Sequence, residues 1–256
     1  MALNVIQKFA KICSGFTNTV KQPHTAAIVL AAGKGMRMES EEISKQMMEI
    51  DDIPIVVRSL LAFEKSKHIH EIIVVGTKEE LPIYKTFKKV YNISKLKVAV
   101  EGGSCRAISA SHGFEQVSKQ CDFVAIHDAA RCLITSDDID HVIKEAYKYG
   151  AAIAAKKSTD TVKVADKDGF VEETPDRSLL WLAQTPQVFK KTLYKVALAK
   201  AEALDETVTD DAMLAENAGF KVKIAECKDE NIKITVPNDI HIAKKILEQR
   251  AQKQEV

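Results

Sequence analysis

Short apolar runs alternate along this chain with segments whose apolar positions recur at helical spacing. The runs fall at Ala26–Ala32, Glu71–Val75, Lys97–Val100, Phe123–Ile126 and Ala151–Ala155. Between them, Pro54–Lys65 (with Ile55, Val56, Leu60, Leu61 and Phe63), Leu81–Tyr91, Cys105–Val117 and Asp137–Tyr149 carry helical patterns. This alternation predicts an α/β fold, a mostly parallel sheet with helices on both faces. The pattern breaks near Lys156. Residues 157–180 are polar and β-leaning, with Thr161–Val164 and Gly169–Val171 flanking a turn at Ala165–Gly169, which predicts a projecting β-arm. The alternation resumes with helices over Lys190–Leu204 and around Asp210–Ala218. Strands near Lys221–Ala225 and Ile232–Thr235 and a last helix from Pro237 complete it. One domain over 24–252 is expected, after a partly ordered N-terminal extension over 1–23.

Composition narrows the function classes. The chain has 256 residues, with 37 Lys and Arg against 36 Asp and Glu, a net charge of +1. A general nucleic-acid binder would carry a basic excess, so no nucleic-acid partner is expected. The five cysteines, Cys13, Cys105, Cys121, Cys132 and Cys227, form no C-x-x-C pair and read as reduced thiols of a cytoplasmic protein. No apolar stretch is long enough to span a membrane. The first 23 residues hold Lys8, Lys11 and Lys21 but no acid, and lack both a signal-peptide core and the arginine of a transit peptide.

In a parallel sheet, ligands sit beyond the carboxyl ends of the strands. The Gly33 loop, Gly102-Gly103 and His127-Asp128 all fall at such ends. The first is the most telling: Ala27–Ala32 runs into Gly33-Lys34-Gly35-Met36-Arg37-Met38, where glycines let the backbone approach a ligand and cations accumulate. It is not a Walker loop, because Gly33-Lys34 is followed by Gly35 and not by Ser or Thr. It is not a dinucleotide fingerprint either, because the third small residue would stand at Met38. Taken alone, the glycine pair fits an anion-binding turn and an ordinary strand-to-helix turn equally.

Eight segments in order carry a resemblance: Leu30-Ala-Ala-Gly-Lys-Gly-Met-Arg-Met38, Ser44-Lys45-Gln46, Gly102-Gly-Ser-Cys-Arg106, His127-Asp-Ala-Ala-Arg131, Asp160-Thr161, Gln184-Thr-Pro-Gln187, Thr209-Asp-Asp-Ala212 and Asn231-Ile-Lys-Ile-Thr235. Over about residues 25–250 the chain resembles the 2-C-methyl-D-erythritol 4-phosphate cytidylyltransferases of the non-mevalonate isoprenoid pathway. The resemblance implies a Rossmann-like sheet of nucleotidyltransferase type and a homodimer with swapped β-arms. It implies transfer of a cytidylyl group from CTP, with Mg2+ held mainly by the CTP phosphates. By the same resemblance, Ala31, Ala32, Gly33 and Gly35 cradle the triphosphate, and Gly103, Ser104 and Ser109 contact the nucleoside. Arg37 and Lys45 stabilise charge at the α-phosphorus. Asp128 meets the nucleotide and, with Arg131, Thr209 and Lys233, the incoming substrate, and Thr161 and Arg177 reach the partner's site. Each has a plainer reading: surface cations for Arg37, Lys45 and Arg131, a helix cap for Thr209, a free hairpin for the arm. His127 is read as structural, since attack by a phosphate oxygen needs no general base.

The chain departs from the family pattern at Ser104, where an acid is common, at Cys132, at Ala110, and at Ser44, which replaces a more restrictive residue. These changes bear on loop stiffness and nucleotide affinity. Two other readings remain: a sister enzyme acting on ribitol 5-phosphate or another polyol phosphate, and a non-catalytic nucleotide-binding regulatory protein.

Overall fold

Thr25–Leu30 forms the first strand, β1, and every residue of it is buried, as a strand covered on both faces requires. The computed structural model describes residues 22–33, 44–204, 208–228 and 230–254. After β1 come a 3-10 turn at Lys45–Met47, the short hairpin β2 (Glu49–Ile50) and β3 (Ile53–Pro54), and helix α1 (Ile55–Lys65). There follow β4 (Ile69–Gly76), α2 (Leu81–Val90), β5 (Leu96–Glu101), α3 (Arg106–Glu115), β6 (Phe123–Asp128), α4 (Ser136–Tyr149) and β7 (Ala151–Lys157). The rest is β8 (Val164–Ala165), β9 (Val171–Glu173), β10 (Trp181–Lys190), α5 (Lys191–Leu204), α6 (Asp211–Asn217), β11 (Lys223–Glu226) and α7 (Asn238–Gln254). The expected extension falls outside the described residues, apart from Gln22 and Pro23.

Seven strands form one sheet in the order β11-β7-β10-β6-β1-β4-β5. All neighbours run parallel except β10, which is antiparallel to both β6 and β7. Alternate side chains of β1 serve opposite faces. Ala27 and Val29 pack with Val56, Leu60 and Phe63 of α1 and Val142 of α4. Ala26, Ile28 and Leu30 pack with Ala110 of α3, Tyr194 of α5 and Leu214 of α6. Helices thus cover both faces. Burial of each large apolar side chain contributes about 1.5–3 kcal/mol. Helix α4 shows why the boundaries fall where they do. Thr135 caps it by accepting from the Asp138 N–H at 3.1 Å, Asp137 and Asp138 lie in its positive first turn, and Gly150 ends it at φ 85°.

Three expectations change. The segment 181–190, read as part of no element, is the ten-residue strand β10. Pro186, which argues against an interior strand, sits where the register with β7 shifts between Ala183 and Gln187, so no ladder bond needs its missing N–H. Ile232–Thr235, expected as a strand, carries no strand ladder: the chain leaves the edge strand β11 and is tied over the sheet by an Ile234 N–H bond to Ala130 O at 2.8 Å. The arm is a hairpin, but its register is later than expected, pairing Val164–Ala165 with Val171–Glu173. Asp166 sets that register, its Oδ1 accepting from the N–H groups of Asp168 (2.9 Å) and Phe170 (2.8 Å), with Gly169 at φ 88°.

Candidate active site

The chain passes from β1 to β4 and β5 on one side, then returns to β6 on the other, so the carboxyl ends of β1 and β6 flank the point where the connections diverge. A cleft of about 590 Å3 opens there, within the range of small-ligand sites. Ala32, Gly33, Lys45, Gly103, Ser104, Ser109, Asp128 and Lys233 all line it. These come from five separate stretches of chain.

The glycines keep the floor low. A Cβ on Gly102 would stand 2.5 Å from that of Ala32, and one on Gly103 would stand 2.1 Å from Ile108. Ser109 secures the bend, accepting from the Gly103 N–H at 3.0 Å and donating to Cys105 O at 2.9 Å. Ala31 is buried and its N–H is taken by Val75 O at 2.7 Å. Free backbone donors of this loop therefore begin at Ala32. Gly35 and Arg37 lie outside the described residues.

Charge is organised around Asp128, the last residue of β6. Its Oδ1 accepts from Arg106 Nε at 3.1 Å and its Oδ2 from Lys233 Nζ at 2.7 Å. Burial opposes ionisation, yet Arg106 and Lys233 hold its pKa well below the usual carboxylate range. Arg106 also donates to Asp211 Oδ2 at 2.6 Å, and the buried Asp211 accepts from Tyr194 OH at 2.6 Å through its other oxygen. Burial disfavours the guanidinium charge, but Asp211 and Asp128 raise its pKa above the ordinary value. Lys45 approaches Asp239 at the start of α7. Burial opposes ionisation of that carboxyl, but bonds from Val236 and Thr235, with Lys45 nearby, hold its pKa low.

His127 does not face the cleft. It is fully buried, its ring tilted against Phe63 at 4.9 Å, with Thr185 Oγ1 at 3.0 Å from Nδ1. Burial pushes its pKa down to about 3, so it stays neutral near pH 7. Thr185 also accepts from the Asp128 N–H at 3.1 Å, which fixes the end of β6.

Five expected site residues among those described lie outside the cleft, the buried Ala31 and four others. Arg131 donates to Asn231 O at 3.0 Å and Ala183 O at 3.4 Å, bracing two segments, and burial lowers its pKa. Thr161 is exposed on the arm. Arg177, in the 3-10 turn Arg177–Leu179, donates to Thr159 O at 3.0 Å. Thr209 is exposed, and the cap of α6 is its neighbour Asp210, which accepts from the Met213 N–H at 2.9 Å. Conversely, Arg106, Gln46 and Asp211 were given no role by sequence reasoning. All three stand in the segments that carry the resemblance, and Asp211, the first residue of α6, is a buried carboxylate that calls for a cation or donor near it.

Among the described residues no three His, Cys, Asp or Glu side chains cluster as metal ligands, and both oxygens of Asp128 are engaged by cations. The described donor set therefore suits an anionic ligand.

The sequence model of one family, 2-C-methyl-D-erythritol 4-phosphate cytidylyltransferase, matches residues 25–249. The cytidylyltransferase of that name from Alkaliphilus metalliredigens is 42% identical over 224 residues, covering 87% of this chain and 92% of the relative. That from Caldanaerobacter subterraneus subsp. tengcongensis is 42% identical over 228 residues, covering 88% and 99%. Among solved structures, the 4-diphosphocytidyl-2C-methyl-D-erythritol synthase of Anaerococcus prevotii superposes with a TM-score of 0.80 at 32% identity, covering 90% of this chain and 98% of that one. The Thermus thermophilus cytidylyltransferase gives 0.72 at 25% identity, with 87% and 98% covered. With the family model matched over residues 25–249 and relatives 42% identical along nearly their whole length, the chain belongs to the 2-C-methyl-D-erythritol 4-phosphate cytidylyltransferase family.

Proposed function

We propose that this protein transfers the cytidylyl group of CTP to 2-C-methyl-D-erythritol 4-phosphate, giving 4-diphosphocytidyl-2-C-methyl-D-erythritol and pyrophosphate. The observation that carries this reading is the cleft at the ends of β1 and β6, where glycine bends meet Lys45 and the Asp128–Lys233 pair. A substrate phosphate oxygen attacks the α-phosphorus in line. One P–O bond forms as the bond to the bridging oxygen of the β-phosphate breaks, and pyrophosphate leaves. Both reactants are polyanions, so positioning and electrostatic stabilisation are the work required of the protein.

In this reading the N–H groups of Ala32, Gly33 and Gly35 cradle the triphosphate, with Ala31 as the buried wall behind them. Gly103, Ser104 and Ser109 receive the nucleoside, and Arg37 and Lys45 meet the charge developing at the α-phosphate. Lys233 keeps one N–H on Asp128 and has two more for the substrate phosphate. Asp128, pinned in its ionised form, is left to orient hydroxyls. Arg131 serves the same subsite by holding its walls, and Thr209 stands at its edge. Mg2+ enters as part of the nucleotide substrate and neutralises phosphate charge there.

The arm supports a homodimer in which Thr161 and Arg177 serve the partner's cleft. Neither lines its own cleft, and Phe170 and Leu179 beside them are 71% and 76% exposed. No helix among the described residues is long and apolar enough to cross a membrane, in keeping with the cytoplasmic location proposed here.

Pyrophosphate release from CTP tests the assignment. Release with methylerythritol phosphate and little with ribitol 5-phosphate is the expected result. The reverse preference would make the protein a polyol phosphate enzyme of another kind, and no release with either would leave a nucleotide-binding protein. The swapped arm has its own test. An Arg177→Ala chain and a Lys45→Ala chain, each inactive alone, should regain activity when co-assembled, and mixed dimers without activity would overturn the trans arrangement.

A further inference from the structure

Lys45 reaches the cleft from a three-residue 3-10 turn, and so short a turn is placed by whatever holds its first flank. That flank is Ser44. Its backbone sits at φ −62° and ψ 144°, the extended region that proline adopts through its ring. Its hydroxyl does not cap its own turn. It donates instead to Glu80 Oε1, at the head of α2. Met47 N–H bonds back to Ser44 O at 2.9 Å, so the turn bearing Lys45 moves with Ser44.

Glu80 is itself fixed. It is 8% exposed, and its Oε2 accepts from Tyr84 OH at 2.7 Å. Tyr84 is fully buried, its ring edge-on to Phe87 at 5.7 Å. It lies flush against Gly76, where a Cβ would come within 2.1 Å of the ring. A buried carboxylate is costly unless its oxygens are bonded, and here the two donors are a rigid core hydroxyl and the hinge of the catalytic turn. The line Gly76–Tyr84–Glu80–Ser44 therefore ties Lys45 to the second layer of the sheet.

We propose that Glu80 is a positioning residue for Lys45, acting through the Ser44 hydroxyl to hold the ammonium where charge develops on the nucleotide. This rests on the role given to Lys45 above. A brace that matters in the transition state lowers turnover more than nucleotide affinity when it is lost.

The test compares Ser44→Ala, Ser44→Thr and Ser44→Pro in the full chain, reading single-turnover transfer, the KM for CTP, and amide hydrogen exchange at Met47 and Met48. Ser44→Ala should slow transfer by about tenfold, the worth of a hydrogen bond to a charged group. The KM for CTP should hold, the melting temperature should fall by no more than the loss of one bond to Glu80 implies, and exchange at the two amides should quicken. Ser44→Thr should keep the wild-type rate, and Ser44→Pro should recover it by fixing φ without a hydroxyl. Glu80→Ala should slow transfer as Ser44→Ala does, and the double variant should be no slower than Glu80→Ala alone. Unchanged rate and exchange in Ser44→Ala, or additive losses in the double variant, would overturn the brace. A wild-type chain that transfers nothing would sink the proposed reaction instead, and exchange at Met47 and Met48 would still read the brace.

Discussion

Asp211 has no exposed surface and shares its two oxygens between Tyr194 and Arg106. Replacing it by asparagine puts an amide donor against one of those donors and leaves the guanidinium with Asp128 alone. Breaking a buried pair from one side costs about 3–5 kcal/mol, and the partial exposure of Arg106 trims this to about 2–3 kcal/mol. Asp211→Asn should therefore lower the unfolding free energy by that amount, read from a lowered denaturant midpoint at unchanged slope, and an unchanged midpoint would mean that Arg106 is held elsewhere. At the opposite end of β1, His24 and His70 stack at 4.1 Å with 10° between their planes. The Thr25 N–H donates to His70 Nδ1 at 3.2 Å, which requires that nitrogen unprotonated. Burial and then the neighbouring His24 lower the pKa of His70. Its folded value lies below its unfolded one, so its contribution to stability is complete above about pH 6.5 and fades as pH falls through the folded value. His70→Gln, which keeps an acceptor but no titration, should flatten the fall in melting temperature between about pH 7 and 5. Legibility differs at this scale. Gly103, Asp128 and Lys233 could be placed at the cleft because each stands in a motif, and Ser109 because it closely follows one. The Arg106–Asp211 pair could not, because two local patterns more than a hundred residues apart do not announce that they meet.

Elements were legible where one physical rule decided them. The uniform apolar runs of β1, β4, β6 and β7 are the signature of strands buried on both faces, and their cores lie where expected. Strand β10 obeys a different rule. Gln184, Thr185 and Gln187 are each at most 4% exposed, and they are tolerated because their polar groups are bonded: Gln187 to Asp210 and to the Ala212 N–H, Gln184 to Asn231, Thr185 to His127 and Asp128. Hydropathy reads such a strand as a loop. The segment at Ile232–Thr235 errs the other way, apolar enough for a strand but anchored by the Asn231 amide to Gln184 Oε1 and Thr185 O. Close packing of β4 on α2 gives a prediction at this scale. Gly76→Ala would drive a methyl into the Tyr84 ring, an overpacking cost of about 1–3 kcal/mol. Thermal unfolding should register it, and a neutral effect would show that the ring has room to shift.

Across the whole molecule, apolar exposure is uneven. Phe170, Val171 and Leu179 on the arm are 71%, 59% and 76% exposed, whereas the apolar residues of β1, β4 and β6 are buried. Side chains left so bare on a two-stranded hairpin ask for a covering surface. Replacing Phe170 and Leu179 together by aspartate should give a folded monomer by sedimentation, with the far-UV circular dichroism of the parent. A persistent dimer would place the contact elsewhere.

Strand β10 runs against its neighbours, and this has a topological consequence. Strand β7 finishes at the rim that holds Asp128 and Gly33, and a reversed strand must begin at that same rim. The residues between them are thus a detour that starts and ends beside the ligand without crossing the sheet. A parallel successor would have needed a return helix down one face. The reversal creates an insertion point whose length is free: closing a longer excursion costs only about 0.6 kcal/mol per doubling, and no strand elsewhere need shift. The excursion can be lengthened, shortened or re-lettered there while the floor of the cleft stays as it is.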